Sequence, residues 1–537
     1  MRDPLEAISR LQDMKAERSP YESQWQKIAE LIRPLREEFE TTPTDGARRG
    51  RKIYDATGIV ANDNLAAGIY GAMTSPGNRW FALKTRYPEL DDQVAVKQWL
   101  EAAGKVLLDS FGTGVSKFYN EVPALYADVA AFGTAVHFSA ERAQGGGIFD
   151  SVRPLSECFI AVNEDEEVDT LYREFTMTAR QLVGRFGKAA STKARELAER
   201  SPGAKIKMLH ATEPNPNFTE GALGQAGKAF RSAYIELDHR HLVDEGGFDE
   251  FPYQVPRWAL ASGEIYGRGR GEQALADLLQ LQQMVKTNIR AGQMVADPPL
   301  LGPDEGLIKI ARLYPSGYTP GGVSRSGRQL VHPLSTGGNV PLTFEMIQDL
   351  KSQIRESFYA SLLLMSDQAS MTATEVMQRQ EEKMRLLGPN LGRIQAEFLS
   401  PLIKRRFGML ARAGDLPPPP PELDGQQIEI DYVSPLARHQ RTQDALTISR
   451  ALESVVGLAQ IRPEISDLID FDEAFRRIAD GHGAPAAILK SRDEVERIRA
   501  ERKEAEAQQQ ALNQGEQGAG IAQQLAGALG QLPQGGQ

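Results

Sequence analysis

Cysteine is almost missing from this chain. Cys158 stands alone among 537 residues, which excludes an intrachain disulfide and leaves no thiolate cluster for a metal. A lone thiol of this kind is expected to act as a small buried apolar group. Histidine is scarce as well, with seven in all. No apolar run approaches the ~20 residues that a membrane-crossing helix needs, and the opening MRDPLEAISRLQD is charged and amphipathic, unlike a secretory leader. A soluble product with no membrane partner, made inside the cell, is expected. Positive charge is also short, since 62 Lys and Arg face 72 Asp and Glu for a formal charge of -10. Non-specific affinity for nucleic acid grows with the number of Lys and Arg phosphate contacts, so the balance argues against a surface built to grip DNA.

What is present is ample core material, 41% hydrophobic, enough at ~100 to 200 residues per domain for about three modules. Residues 5 to 39 carry two apolar stripes at helical spacing, Leu5, Ile8, Leu11, Met14 and then Trp25, Ile28, Ala29, Ile32, so two helices are expected, with breaks at Pro20 and Pro34. Arg48, Arg49, Arg51 and Lys52 cluster beyond them, as a nucleic-acid contact or a solvated loop. Asp55 to Met73 reads as helix, Arg79 to Leu83 as strand, Val94 to Phe138 as mostly helix and Ile148 to Phe175 as strands. After a helical stretch at 178 to 200, HATEPNPNFTEGALGQAGKAF is expected as a long exposed loop. A hairpin follows, with its turn at Glu245-Gly246-Gly247. His239 and His241 alternate there and suggest a metal pair, but without an obvious third ligand a plain surface strand is the stronger reading.

Gly267, Gly269 and Gly271 precede a long helix and invite a phosphate-binding reading. Neither the dinucleotide spacing nor the Gly-Lys-Ser/Thr of a P-loop is present, so a flexible elbow is favoured over a nucleotide-binding enzyme. The helix itself, Gly271 to Met294, carries Leu275, Leu278, Leu279, Val285 and Ile289 on one side with Lys286 and Arg290 nearby, a rod of roughly 35 Å. A second rod, Phe344 to Met365, lines up Ile347, Leu350, Ile354, Phe358, Leu362 and Met365 and leaves Lys351 and Arg355 elsewhere on its surface. Between the rods lies a Gly- and Pro-rich stretch whose composition excludes long helices. Ser366-Asp367-Gln368-Ala369-Ser370-Met371 follows as a polar break, and a capping box at Thr372-Ala373-Thr374-Glu375 restarts the helix. Later come a helix to Ala413 with Lys404-Arg405-Arg406 as a basic patch, five prolines as a stiff spacer, and the strand-like QIEIDYVSPL, expected to join the earlier sheet. Broken helices then run to about Gln510, and a Gln/Gly/Ala-rich end is expected to be disordered. No nucleophile with a base, carboxylate pair or phosphate loop emerges, so no enzyme and no cofactor is expected.

Two long strings, TATEVMQRQEEKMRLLGP and IYDATGIVANDNLAAGIYGAMTSPGNRWFAL, together with the rod before the first of them, resemble the portal, or head-to-tail connector, proteins of short-tailed bacteriophages. The resemblance spans roughly residues 5 to 500. It implies an α+β, mainly helical portal-like fold with wing, stem, clip and crown regions. The wing would take 1–270 and 372–435, the stem helices 271–295 and 341–365, the clip 296–340 and the crown 436–510, with 511–537 as the disordered tail. It implies a dodecameric ring at one capsid vertex of the virion, assembled in the host cytoplasm, through which double-stranded DNA is packaged and ejected. The partners implied are the terminase motor, tail adaptor and nozzle proteins, and capsid and scaffolding proteins. Ser366, Asp367, Gln368, Ala369, Ser370 and Met371 would form a tunnel loop, an ordinary surface turn being the alternative. With Lys351, Arg355, Lys286 and Arg290 they are the residues expected at the DNA channel. A helical adaptor that forms no ring remains the other non-enzymatic reading.

Overall fold

The computed structural model describes residues 3–507 except 37, 41–45, 48, 78, 92, 113, 143–146, 297–299, 302–322, 331, 334–339, 361–386, 427, 433–443, 456–461, 463, 465–467, 483, 485–487 and 491–493. In chain order its elements begin with α1 (Pro4–Ile32), α2 (Thr57–Met73), β1 (Phe81–Thr85), α3 (Pro88–Asp91), α4 (Val94–Ser110), α5 (Phe118–Phe132), β2 (Val136–Glu141), β3 (Ile148–Arg153), β4 (Cys158–Val162) and β5 (Val168–Thr178). There follow α6 (Ala179–Phe186), α7 (Thr192–Arg200), β6 (Lys205–Pro214), β7 (Phe230–Glu236), β8 (His241–Phe248), β9 (Tyr253–Gln254), α8 (Arg270–Gln273), α9 (Leu275–Ala296), β10 (Leu300–Leu301) and β11 (His332–Pro333). Last come α10 (Val340–Ser357), α11 (Ser400–Ala413), β12 (Ile428–Tyr432) and α12 (Phe471–Gly481), with further helical runs at 387–394, 444–455 and 494–507. The chain is thus mainly helical with antiparallel sheets, and it forms two compact units.

The larger unit, Met1–Trp80 with Leu107–Asp415, holds an antiparallel meander β4-β5-β6-β7-β8 and a smaller sheet β3-β2-β9. Alternation explains the meander: Tyr172 on β5, Leu209 and Ala211 on β6, and Ala233 and Ile235 on β7 turn inward against Ala7, Leu11 and Met14 of α1. On α6 and α7, Leu182 and Ala194 cover Ile206 and Met208 of β6 in a second cluster. Thr178 caps α6 through a reciprocal pair of bonds with Gln181.

Four expectations are corrected here. Pro20 does not break the first helix: α1 is continuous for 29 residues. A proline removes one helical bond, but Arg18 just before it is buried and donates to the Leu155 and Cys158 carbonyls at 3.0 and 2.8 Å. Trp25 and Ile28 are buried on the other side, so packing holds both halves in line. Second, the stretch beginning at His210 is strand as far as Pro214, and only the residues after it form the loop. Third, the hairpin reverses at 237–240, where Arg240 takes φ +49°, and β8 runs through both glycines. Gly247 lies so close to β7 that a Cβ would stand 2.6 Å from the Lys228 Cβ and 2.8 Å from the Phe230 carbonyl oxygen. Fourth, α10 is interrupted after Ser357, where Tyr359 adopts a left-handed φ of +58°, and 361–365, the rest of the expected rod, lie outside the described residues.

In the smaller unit, Phe81–Val106 with Leu416–Gln537, β1 pairs antiparallel with β12, Phe81 opposite Tyr432. The late strand therefore joins β1 instead of the central sheets. Trp99 donates its indole N–H to the Pro417 carbonyl at 2.9 Å, fixing the proline run against the start of α4. Arg499 forks onto the Asp472 carboxylate at 2.6 and 2.8 Å, tying 494–507 to α12.

Candidate functional site

The four cations expected at the channel lie on α9 and α10, and the structure shows what holds that pair. Ile347, Leu350 and Ile354 of α10 and Phe358 just past its end are buried, as their spacing predicts, while Leu362 and Met365 of the same expected stripe lie outside the described residues. On α9 the buried side is Leu278, Leu281 and Gln282. Leu279 and Ile289, expected on that side, stand 45% and 46% exposed. Both sides of α9 carry leucine or isoleucine, so periodicity alone does not tell which faces inward. Met294 and Val295 at the end of α9, and Phe344 and Met346 at the start of α10, are exposed as well.

Gln282 is the anchor that sequence reasoning missed. Its Oε1 accepts the backbone N–H groups of Tyr54 and Asp55 at 2.6 and 3.0 Å, and its Nε2 donates to the Asp55 carbonyl at 2.8 Å. One amide thus satisfies a whole turn of backbone just before α2. Lys351 of α10 reaches the same turn, with Nζ 2.6 Å from Asp55 Oδ2, and the Lys286 ammonium lies 5.6 Å from the Tyr54 ring centroid. Burial alone would raise the Asp55 carboxyl, but hydrogen bonds from Lys351 and Thr57 and the Lys351 charge outweigh it and hold it below its ordinary range. Gly58 lets α2 approach: a Cβ there would stand 2.6 Å from Leu278 Cδ2. The only signal for Gln282 in the sequence is an amide beside core leucines, and its partners lie 227 and 228 residues away.

The four expected channel cations therefore divide. Lys351 and Lys286 are engaged by the Tyr54-Asp55 turn, while Arg290 and Arg355 are exposed. Ser366 to Met371 lie outside the described residues, as does most of 296–340, apart from the short β10-β11 ladder and a turn near Ser324. At the end of α10 the Arg270 guanidinium stacks 4.0 Å from the Tyr359 centroid.

The glycine elbow is filled by protein. A Cβ on Gly267 would come within 2.3 Å of the Gly133 carbonyl oxygen, on Gly269 within 2.5 Å of the Gly133 nitrogen, and on Gly271 within 2.4 Å of the Ala131 carbonyl oxygen. Gly133 itself ends α5 at φ +83°. These glycines let two backbones touch, and amides of the elbow are taken by protein, the Gly267 N–H donating to Thr134 Oγ1 at 2.8 Å and the Arg268 N–H to the Ala259 carbonyl at 2.7 Å. His239 and His241 part as well: His239 Nδ1 meets Glu236 at 2.9 Å, and His241 Nε2 meets the Ala189 carbonyl at 2.9 Å. Among the described residues no group of His, Cys, Asp and Glu is placed to hold a metal. Cys158 is buried, and burial pushes its thiol up to about 12.

Lys404-Arg405-Arg406 is not a surface patch. Only Lys404 is exposed; Arg406 is 0% accessible and pairs with Asp150, donates to the Ser110 carbonyl at 2.8 Å and stacks 3.9 Å from the Phe111 centroid. Arg405 donates to the Ser139 and Glu250 carbonyls at 3.0 and 2.7 Å. Of the earlier basic cluster, Arg49 lies 3.2 Å from Glu38 and Lys52 2.8 Å from Glu30. No helix among the described residues is long and apolar enough to cross a membrane.

The model of the family described as bacteriophage head to tail connecting protein matches residues 5–489. The chain is 34% identical over 534 residues to the probable portal protein of Bordetella phage BPP-1, covering 95% of this chain and 93% of that protein. It is 31% identical over 521 residues to the portal protein of Salmonella phage epsilon15, covering 94% and 92%. A solved chain from the neck of an empty GTA particle overlays with a TM-score of 0.38 at 11% identity, over 76% of this chain and 91% of that one. The chain belongs to the bacteriophage head to tail connecting protein family.

Proposed function

We propose that this chain is a portal subunit: twelve copies close into a ring at one capsid vertex, and DNA enters and leaves through its axis. The observation that carries this reading is the α9-α10 pair, which is anchored on one side by Gln282, Lys351 and the Leu278 contact and leaves Leu279, Ile289, Met294, Val295, Phe344 and Met346 exposed. A monomer gains nothing from presenting that much apolar side chain on two long rods, whereas a closed ring covers it on every copy. The two portal relatives, matched over nearly their whole length, support the same reading.

In this reading 271–295 and 341–365, which include most of α9 and α10, are the stem, 296–340 the clip, 436–510 the crown and 1–270 with 372–435 the wing. Terminase and tail proteins dock at the clip, capsid and scaffolding proteins surround the wing, and the protein performs no catalysis of its own. Ser366 to Met371 form a loop at the channel wall, where Asp367 repels phosphate and keeps contacts weak. Arg290 and Arg355 are the cations left to meet DNA, so affinity for it stays low and salt-dependent. Electron microscopy of the purified chain tests this: twelvefold rings with an open axial channel are expected, and particles without a channel would overturn it. Deleting Asp367 to Ser370 tests the loop, with normal rings that fail to retain packaged DNA as the expected result.

A further inference from the structure

The loop between β6 and β7 presents an exposed apolar tip. Leu223 is 97% exposed and Phe218, five residues earlier, is 46% exposed. A single exposed leucine is unremarkable on its own, but this one is held out by an ordered loop. Asn215 Nδ2 donates to the Gln225 and Lys228 carbonyls at 3.1 and 2.9 Å, the Thr219 N–H donates to the Ala226 carbonyl at 2.8 Å, and the Ala222 N–H to the Thr219 carbonyl at 3.1 Å. Gly221 and Gly224 flank the leucine at φ +76° and +74°, left-handed turns that an L-residue resists. The backbone bonds therefore close behind the tip, and Leu223 is presented at low ordering cost, as an anchor side chain should be.

The rim of this tip is acidic. Gln225 Nε2 donates to the Glu245 carbonyl at 3.1 Å, which sets the tip beside the Asp244-Glu245 stretch of β8. Glu220, Asp244 and Glu245 have no ion-pair partner among the described residues. The nearby cations are already engaged: Lys228 Nζ lies 2.7 Å from Asp249, and Arg231 pairs with Glu213. The result is an apolar knob on a carboxylate rim.

We propose that Leu223 is a docking anchor that inserts into an apolar socket rimmed by Lys and Arg on a different protein of the particle. Charge complementarity favours that occupant over a second copy of this chain, which itself carries a formal charge of -10. The inference rests on the portal reading, since it supposes a ring held inside a larger shell.

The test places a photoreactive benzoylphenylalanine at position 223 of the full-length chain, with a second chain labelled at Leu279 as control, and irradiates assembled particles. The expected adduct at 223 is to a chain of different sequence, through a peptide with an apolar residue flanked by Lys or Arg, while Leu279 links to another copy. An adduct of 223 to another copy, or none, overturns the proposal. Two variants read the same contact: Leu223→Asp forms rings normally but enters particles roughly tenfold less often, and Glu220→Lys with Glu245→Lys weakens entry in the same direction. Normal incorporation of Leu223→Asp rings overturns the anchor. Failure of the wild-type chain to form any ring would instead sink the portal reading, so the two failures are distinct.

Discussion

Two regions of the larger unit use the same residue types to opposite ends. Where α1 crosses the five-stranded sheet, Ala7, Leu11 and Met14 meet Phe159, Tyr172, Leu209 and Ile235, and every one of them is buried. Polar clamps seal the edge: Glu213 is buried and takes Arg10 at 3.0 Å and the Tyr172 hydroxyl at 2.7 Å. In α9 and α10, by contrast, Leu278 and Leu281 are buried while Leu279 and Ile289 on the neighbouring stripe are open. Burying a Leu or Ile side chain contributes roughly 1.5–3 kcal/mol, so the first region is finished by its own chain, whereas in the proposed ring the second gains as much again from another copy. In that reading the difference separates what folds the subunit from what assembles it.

The sharpest way to break the folded side of this comparison is at the glycine elbow. Gly269→Val drives side-chain carbon into the Gly133 nitrogen and the Ala131 carbonyl, and a loss above ~4 kcal/mol is expected, seen as insoluble or unfolded chain. Wild-type protein should show no thermal shift with ATP, because that backbone is already occupied. Next in size is Arg406→Met, which strands the buried Asp150 carboxylate and should cost ~3–5 kcal/mol in chemical unfolding. Burial lowers the Arg406 pKa and the Asp150 charge opposes that shift, a balance that only the intact pair maintains.

Leu281→Ala and Leu279→Ala compare neighbouring stripes of one helix directly. The first should destabilise the subunit by ~2–5 kcal/mol; the second should leave subunit stability within ~0.5 kcal/mol and weaken assembly instead. Equal effects of the two on unfolding would remove the distinction. The smallest effect is expected from Lys351→Met. Asp55 has a folded pKa held below its ordinary value, so its contribution is complete above that value and disappears as pH falls through the depressed one. The gap in melting temperature between wild type and variant should be steady from about pH 7 to 5 and narrow below about pH 4.

How much of this was legible beforehand depended on distance along the chain. The α10 stripe is a local pattern, and Ile347, Leu350, Ile354 and Phe358 are buried as spacing requires. The two-sided apolar content of α9 defeated the same rule, and only tertiary contact with Gly58 and the Tyr54-Asp55 turn selects Leu278, Leu281 and Gln282. Arg405 and Arg406 read as a surface cluster because the acid that pairs with Arg406 lies 256 residues earlier. The need for glycine at 267, 269 and 271 was visible, but its cause, a backbone meeting with Gly133, was not. Gly246 and Gly247 misled for a similar reason, since close strand approach and turning both call for glycine.

The central claim is that the open stripe of the helix pair exists for other copies of the chain. Native mass measurement of wild type beside Leu279→Asp with Ile289→Asp tests it most directly. The account predicts a wild-type particle of twelve times the 59.1 kDa chain mass and a folded variant that remains a monomer with an unchanged melting temperature. A variant that assembles as completely as wild type, or a wild type that stays monomeric across the concentration range, would contradict it.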